Sequence, residues 1–136
     1  MSKTIQLSFV IFLFMLLYIP FWGHSQEKFS GGSNLSGILN PGKVQTLSNS
    51  FDEVVTLETP TDQGTYRKQQ ATQLFQSFLR IYPADSIRIR KQGLSGGDSH
   101  YLIGDYYSGN ITFYIYIVSR RQHGQDLIFN LNLNKK

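Results

Sequence analysis

The chain has 136 residues, a formal net charge of +4 and no cysteine. This length suits one domain with a core of its own, and the lack of cysteine excludes disulfides and thiolate metal sites. The three histidines, His24, His100 and His123, contain no closely spaced pair. We therefore predict no zinc site, and no motif in the sequence points to another cofactor.

The first 25 residues have the organisation of a secretory signal peptide. Lys3 provides a positive start, Leu7 to Ile19 form an almost unbroken apolar run, and residues 23–25 (GHS) make a small-residue cleavage site. We expect cleavage before Gln26 and a mature protein in the periplasm or outside the cell. Membrane contact is then confined to the stage before cleavage.

An alternative is that residues 1–25 stay attached as an anchor, because Phe21 and Trp22 could lengthen the apolar run. With cleavage, residues 26–32 form a polar, Gly-rich lead and residues 33–136 a single domain. An exported domain has little access to nucleic acid, so we expect no nucleic-acid partner. Its mild positive charge is that of a solvated surface or of one attracted to anionic envelope polymers.

The first half of the domain predicts two helical regions separated by a strand. Residues 33–51 carry apolar residues at helical spacing on both sides of Pro41, which predicts two short helices or a kinked pair. A β-branched stretch, 53–60 (EVVTLETP), predicts a strand, and a turn follows to Gly64. Residues 66–83 then show the strongest helical pattern, one apolar stripe that Pro83 ends. The stripe consists of Ala71, Leu74, Phe75, Phe78, Leu79 and Tyr82.

The second half predicts strands only, over residues 86–93, 98–107, 110–118 and 126–134. Short connections that contain glycine join them, as in successive antiparallel hairpins. One amphipathic helix cannot cover a sheet of this width, so the N-terminal helices must share that role. We predict an α+β fold of order α-α-β-α-β-β-β-β, in which a curved antiparallel sheet wraps over the helices like a cone.

This order, with the segments FDEVVTLETP, YRKQQATQLFQSFL, IYPADSIRIRKQG and SHYLIGDYYSGNITFYIYI, resembles a family of small exported bacterial domains of unknown function. That family lies in the cone-shaped superfamily of nuclear transport factor two and ketosteroid isomerase. The resemblance covers about residues 33–136 and implies the fold and export, but no activity. Members of the wider superfamily either enclose a small ligand or act through dimers without catalysis.

Three side chains are candidates for a pocket inside the cone. Asp52 and Tyr66 could bring a carboxylate and a phenol to one end of it, as isomerase chemistry requires. His100 could be oriented by Asp98, two residues away on the same strand face, but this dyad lacks a nucleophile. We therefore assign no catalytic residue and expect a noncatalytic protein. The alternative is a small-molecule enzyme of the isomerase, cyclase or hydrolase type.

The clearest candidate surface is the sheet face that turns away from the helices. Side-chain alternation directs Ile87, Ile89 and the odd-numbered residues of 111–117 and 127–133 to the helices. The opposite face carries two Tyr and two Arg, residue types that are enriched at the energetic centres of interfaces, so we predict a partner on that face. A second copy is the simplest partner, and another envelope protein or a glycan is the alternative. The opposite face then presents Arg88, Arg90, Thr112, Tyr114, Tyr116, Ile128, Asn130 and Asn132.

Overall fold

A computed structural model describes residues 44–136 of the chain. The first of the two predicted N-terminal helices lies outside these residues, and the second is α1. Among the described residues, no helix is long and apolar enough to cross a membrane. The elements are α1 (Val44–Ser50), β1 (Phe51–Glu58), β2 (Gln63–Arg67), α2 (Lys68–Ile81), β3 (Ser86–Gly96), β4 (Ser99–Ser108), β5 (Ile111–Gln122) and β6 (Gln125–Lys135).

The strands form one six-stranded sheet of order β2-β1-β6-β5-β4-β3. The predicted α+β class and the final run of four antiparallel strands are confirmed. The sheet is nevertheless mixed, because β1 and β6 pair in parallel. This pairing arises because α2 carries the chain to the far edge, and the four strands then return until β6 lies beside β1.

β2 is a strand that the sequence pattern did not predict. The turn before it is shorter than expected, since Thr59 N donates to Asp62 O at 2.8 Å and Asp62 N donates to Thr59 Oγ1 at 3.1 Å. The chain can therefore pair with β1 from Gln63 onward. The resulting hairpin leads directly into α2 at Lys68.

The core lies between α2 and the sheet. The predicted stripe of α2 is confirmed: Ala71, Phe75, Phe78 and Leu79 are buried, and the other two members of the stripe pack against the same cluster. The Phe78 ring meets the Phe113 ring of β5 edge to face, with centroids 5.4 Å apart. These contacts fix the helix over the middle of the sheet.

The predicted side-chain directions in the first part of β6 are wrong, because Leu127 and Phe129, expected toward the helices, do not belong to the core cluster. Ile128 was expected on the face away from the helices, but it is buried in the core at 3% exposure. The reason is a register shift in the β5–β6 pairing: Ile128 lies opposite Ser119, and Asn130 lies opposite Val118. Phe129 is therefore an extra residue, a β-bulge, which reverses the alternation. Beyond it, Leu131 and Leu133 point to the core as predicted.

Candidate interaction face and inner polar cluster

The sheet face that turns away from α2, called the outer face below, is ordered into cross-strand rows by the strand register. The six predicted partner residues all belong to this face, five of them in these rows and Arg90 beside them. The upper row consists of Thr56, Asn130, Val118 and Tyr101; the middle row of Glu58, Asn132, Tyr116, Ile103 and Lys91; and the lower row of Asn134, Tyr114, Asp105 and Arg88.

The centre of the outer face is aromatic and apolar. Tyr114 is 38% exposed, Tyr116 and Ile103 are half-buried, and Val118 is buried. In the part of the chain that the structure describes, no helix packs on these residues, because the buried residues of α2 join the opposite face. The middle of β4 and β5 therefore offers a continuous surface of rings and branched side chains.

Asparagines line one side of this centre. Asn130 and Asn132 lie beside Val118 and Tyr116 in the strand register. Their side-chain carbonyl oxygens are buried and have no hydrogen-bond partner within residues 44–136. A buried acceptor without a partner costs roughly 1–3 kcal/mol, so rotation of these amides toward a donor above the outer face would be favourable.

A buried ion cluster lies on the other side of the centre. Asp105 is fully buried; Arg90 Nε donates to its Oδ2, and Lys136 Nζ lies 2.6 Å from its Oδ1. Hydrogen bonds from Lys136 and Arg90 hold the pKa of the Asp105 carboxyl below its usual range, and the same carboxylate raises the pKa of Arg90. Arg90, a predicted partner residue, is thus already paired within its own chain.

The opposite, helix-side face carries a polar cluster at one end. His100 lies opposite Ser119 in the β4–β5 register, and its Nδ1 is 4.0 Å from Asp126 Oδ1. Arg121 reaches both oxygens of Asp126, at 3.3 and 3.5 Å. The side chains of Ser119, His100 and Asp126 are at least nine-tenths buried. The sequence prediction missed both Ser119 and Asp126.

This inner cluster brings together the residue types of a nucleophile, a base and an acid, but not their catalytic contacts. Ser119 Oγ has no hydrogen-bond partner within the described chain, and the contact between His100 and Asp126 is longer than a hydrogen bond. The predicted orienting residue, Asp98, is an exposed turn residue whose backbone carbonyl accepts from Arg121 N at 3.0 Å. The cluster offers a polar position for a small ligand rather than an assembled dyad.

The two other pocket candidates are not brought together. Asp52 Oδ2 lies 2.8 Å from Arg120 Nε, and the Arg120 guanidinium lies 4.7 Å from the centre of the Phe129 ring. Tyr66 instead packs against the core and lies over Gly64. Asp52 therefore stabilises the bulge of β6 through Arg120, and the predicted carboxylate and phenol do not share a site.

A groove of about 570 Å³ lies where α2 begins. It already contains an ion pair, because Lys68 Nζ lies 3.1 Å from Glu53 Oε1. The groove is lined by Ser48, Glu53, Val54, Arg67, Lys68 and Gln69.

Within residues 44–136, no group of three or more His, Cys, Asp or Glu side chains could hold a metal ion.

Solved structures similar to this chain define its fold class. A DUF4783 family protein from Bacteroides ovatus is 22% identical, with 76% of this chain and 94% of that chain covered and a TM-score of 0.67. A protein named Rd1NTF2_04 with long sheet is 18% identical, with 76% and 95% covered and a TM-score of 0.60. The protein is therefore an α+β domain of the NTF2-like class.

A third similar structure is a putative calcium/calmodulin dependent protein kinase II association domain from Xanthomonas campestris. It is 14% identical, with 78% of this chain and 86% of that chain covered and a TM-score of 0.54. At these identities the three likenesses show the fold alone.

The family itself follows from the sequence. The family model described as "Domain of unknown function (DUF4783)" matches residues 33–134, so the chain belongs to this family. The predicted resemblance to a family of unknown function is confirmed, and the fold is NTF2-like as predicted. No curated protein matches the chain.

Proposed function

We propose that this protein is an exported, noncatalytic module that forms a homodimer by packing its outer face on that of a second copy. The observation that carries the proposal is the aromatic and apolar centre of the outer face. Tyr114, Tyr116 and Ile103 are partly exposed there, side by side on adjacent strands. Tyr side chains offer large apolar area and a polar tip, the combination favoured at interface centres.

Two further features support a protein partner on this face. The carbonyl oxygens of Asn130 and Asn132 need donors that their own sheet does not supply within residues 44–136. Opposite charges, Glu58 on one side and Arg88 and Lys91 on the other, flank the centre. A second copy satisfies both features, because a face with both signs of charge can be complementary to itself.

Export is supported by the positive start, apolar run and small-residue site of residues 1–25. A noncatalytic role is supported by the inner cluster, where Ser119 and His100 do not form a nucleophile–base hydrogen bond. If the protein also binds a small molecule, that cluster is the position that would hold it. The Xanthomonas campestris protein of the same fold is described as a putative association domain, so an association role is compatible with this fold.

Sedimentation of the protein without residues 1–25 tests the homodimer, with Tyr114→Ala and Tyr116→Ala as variants. We expect a wild-type dimer and a loss of about 2 kcal/mol or more of association for each Tyr, which is roughly a thirtyfold drop in affinity. Asp98→Ala, in an exposed turn, is the matched control and should leave association unchanged. Unfolding curves must show that both Tyr variants remain folded.

A wild type that stays monomeric at tens of micromolar would contradict the proposal, as would a double Tyr variant that dimerises like its parent. A monomer that binds envelope polysaccharide, and loses that binding in the double variant, would instead assign the outer face to a glycan. Stacking of Tyr rings on sugars and hydrogen bonds from the Asn amides would explain that result.

A further inference from the structure

We propose that charges on the two sides of the outer face set the orientation of this homodimer, with Glu58 of each copy facing Lys91 of the partner subunit. The inference rests on the proposed homodimer and adds the residues that select its two-fold axis. It has its own test, because orientation can be changed by charge while the Tyr centre is left intact.

The middle row of the outer face carries opposite charges at its two ends, at equal distances from its midpoint. It runs Glu58, Asn132, Tyr116, Ile103, Lys91 across five adjacent strands. Tyr116 on β5 is the midpoint. With neighbouring strands about 4.8 Å apart, Glu58 and Lys91 each lie about 10 Å from it, on opposite sides.

Two copies can stack outer face to outer face in two simple ways. A two-fold axis along β5 places β1 of one copy over β3 of the other, so that Glu58 faces Lys91 at both ends of the row. An axis along the middle row places each strand over itself, so that Glu58 faces Glu58 and Lys91 faces Lys91. Only the first arrangement pairs unlike charges, and like charges across an interface are costly.

These charges are not paired with any other charge within residues 44–136. Glu58 is half-buried, whereas Arg88 and Lys91 are exposed, and none of the three makes an ion pair within residues 44–136. Arg90 differs, because its guanidinium is bound by Asp105. Arg88 lies in the adjacent row on the same strand as Lys91, so it adds positive charge where Glu58 of the partner subunit would lie.

The residues of the upper row also favour a two-fold axis along β5. Asn130 and Tyr101 lie one strand to either side of Val118 on β5. An axis along β5 therefore places Asn130 over Tyr101 of the partner subunit. The tyrosine hydroxyl is a donor, and rotation of the Asn130 side chain would bring to it the carbonyl oxygen that is buried without a partner within residues 44–136.

Charge reversal tests the orientation. With the axis along β5, Glu58→Lys or Lys91→Glu replaces two attractive pairs per dimer with two repulsive pairs, and we expect about tenfold weaker dimerisation for each. The double variant, with both reversals in one chain, restores attraction and should dimerise within about threefold of the wild type. Mixing the two single variants should give heterodimers, and 0.5 M salt should reduce all of these differences.

Asp98→Lys and Arg80→Glu are matched controls, because they make the same charge changes at exposed positions in a turn and on α2, and they should leave dimerisation unchanged. A dimeric wild type whose single reversals dimerise normally would overturn the orientation and leave the homodimer standing. A tighter dimer for Glu58→Gln would overturn it in favour of the other axis. A monomeric wild type would overturn the homodimer itself.

Discussion

Asp105 shows how a single buried charge is tolerated on the outer side of this sheet. Its carboxylate is fully buried, but Lys136 and Arg90 both reach it. A buried carboxylate is stable in its charged form only when cations and hydrogen bonds replace the lost water. The cluster therefore joins β3, β4 and the residue that follows β6, next to Tyr114.

Replacement of Asp105 by Asn should destabilise the fold in a pH-dependent way. The folded-state pKa of the Asp105 carboxyl is lowered, first by the hydrogen bond from Lys136. Its contribution to stability is therefore present above the unfolded pKa of about 4 and is lost as pH falls through the lower folded pKa. We expect the difference in denaturant midpoint between wild type and Asp105→Asn to be largest near neutral pH and to shrink in acid.

Denaturation at a series of pH values measures this difference, with Asp98→Asn as the exposed control. The control difference should be small at every pH, because Asp98 is an exposed turn residue. A difference for Asp105→Asn that stays constant from neutral pH down to about pH 2 would show that the charge of Asp105 is not what stabilises the cluster.

The sheet face on which a side chain lies was predictable wherever the strand alternation is uninterrupted. Tyr114 and Tyr116 lie on the outer face as the alternation of β5 predicts, but Ile128 does not. The alternation of residues 126–134 runs evenly through the bulge, so nothing local reveals it. The bulge places Phe129 where Arg120 stacks on its ring, a contact that depends on two neighbouring strands.

The inner cluster was predictable from the turns, although side-chain types alone did not reveal it. Gly109-Asn110 is a two-residue connection, and such turns fix the strand register. Counting back from it places His100 opposite Ser119. The second turn has φ of +49° at His123 and +76° at Gly124, the left-handed pair of a type I′ turn. Counting from it places Arg121 opposite Asp126.

At the scale of elements, α2 is the part that most directly determines the core. Phe78 contacts the rings of Phe75, Tyr82, Tyr106 and Phe113. Tyr106 also donates its hydroxyl to the Tyr82 carbonyl at the end of the helix, and burial raises the pKa of that hydroxyl. The helix is thus held by ring packing along its length and by a hydrogen bond at its end.

Phe78→Ala should therefore cost about 3–5 kcal/mol of unfolding free energy, because it leaves a cavity among four rings. This is a large share of the stability of a domain of this size. Chemical denaturation measures it, and Asp98→Ala is expected to be nearly neutral. A nearly neutral Phe78→Ala would mean that α2 does not cover the sheet as the structure shows.

The elements differ in how well the sequence predicted them. α2 and the last four strands each carry a strong period of their own, so they were predicted. β2 has only five residues and depends on pairing with β1, and the parallel pairing of β1 with β6 joins segments about 75 residues apart. Neither leaves a local pattern, because both are decided by the closure of the whole sheet.

For the whole molecule, the two sides of one sheet suit different roles. The helix side is filled by α2 and ends in the inner polar cluster, whereas the outer side keeps its Tyr centre and flanking charges free of helices within residues 44–136. A dimer through the outer side would leave the helix side of each copy unchanged. Association and ligand binding, if both occur, would then be separable by mutation.

Export is the remaining whole-molecule prediction, and it belongs to residues outside the described part of the chain. Lys3, the apolar run and residues 23–25 predict cleavage before Gln26. Expression of the full chain in a bacterium should give a soluble exported product whose intact mass begins at Gln26. Leu13→Arg, which places a charge within the apolar run, should retain the precursor inside the cell, whereas Lys91→Arg should not. An exported product that keeps residues 1–25 and stays with the membrane would establish an anchor instead.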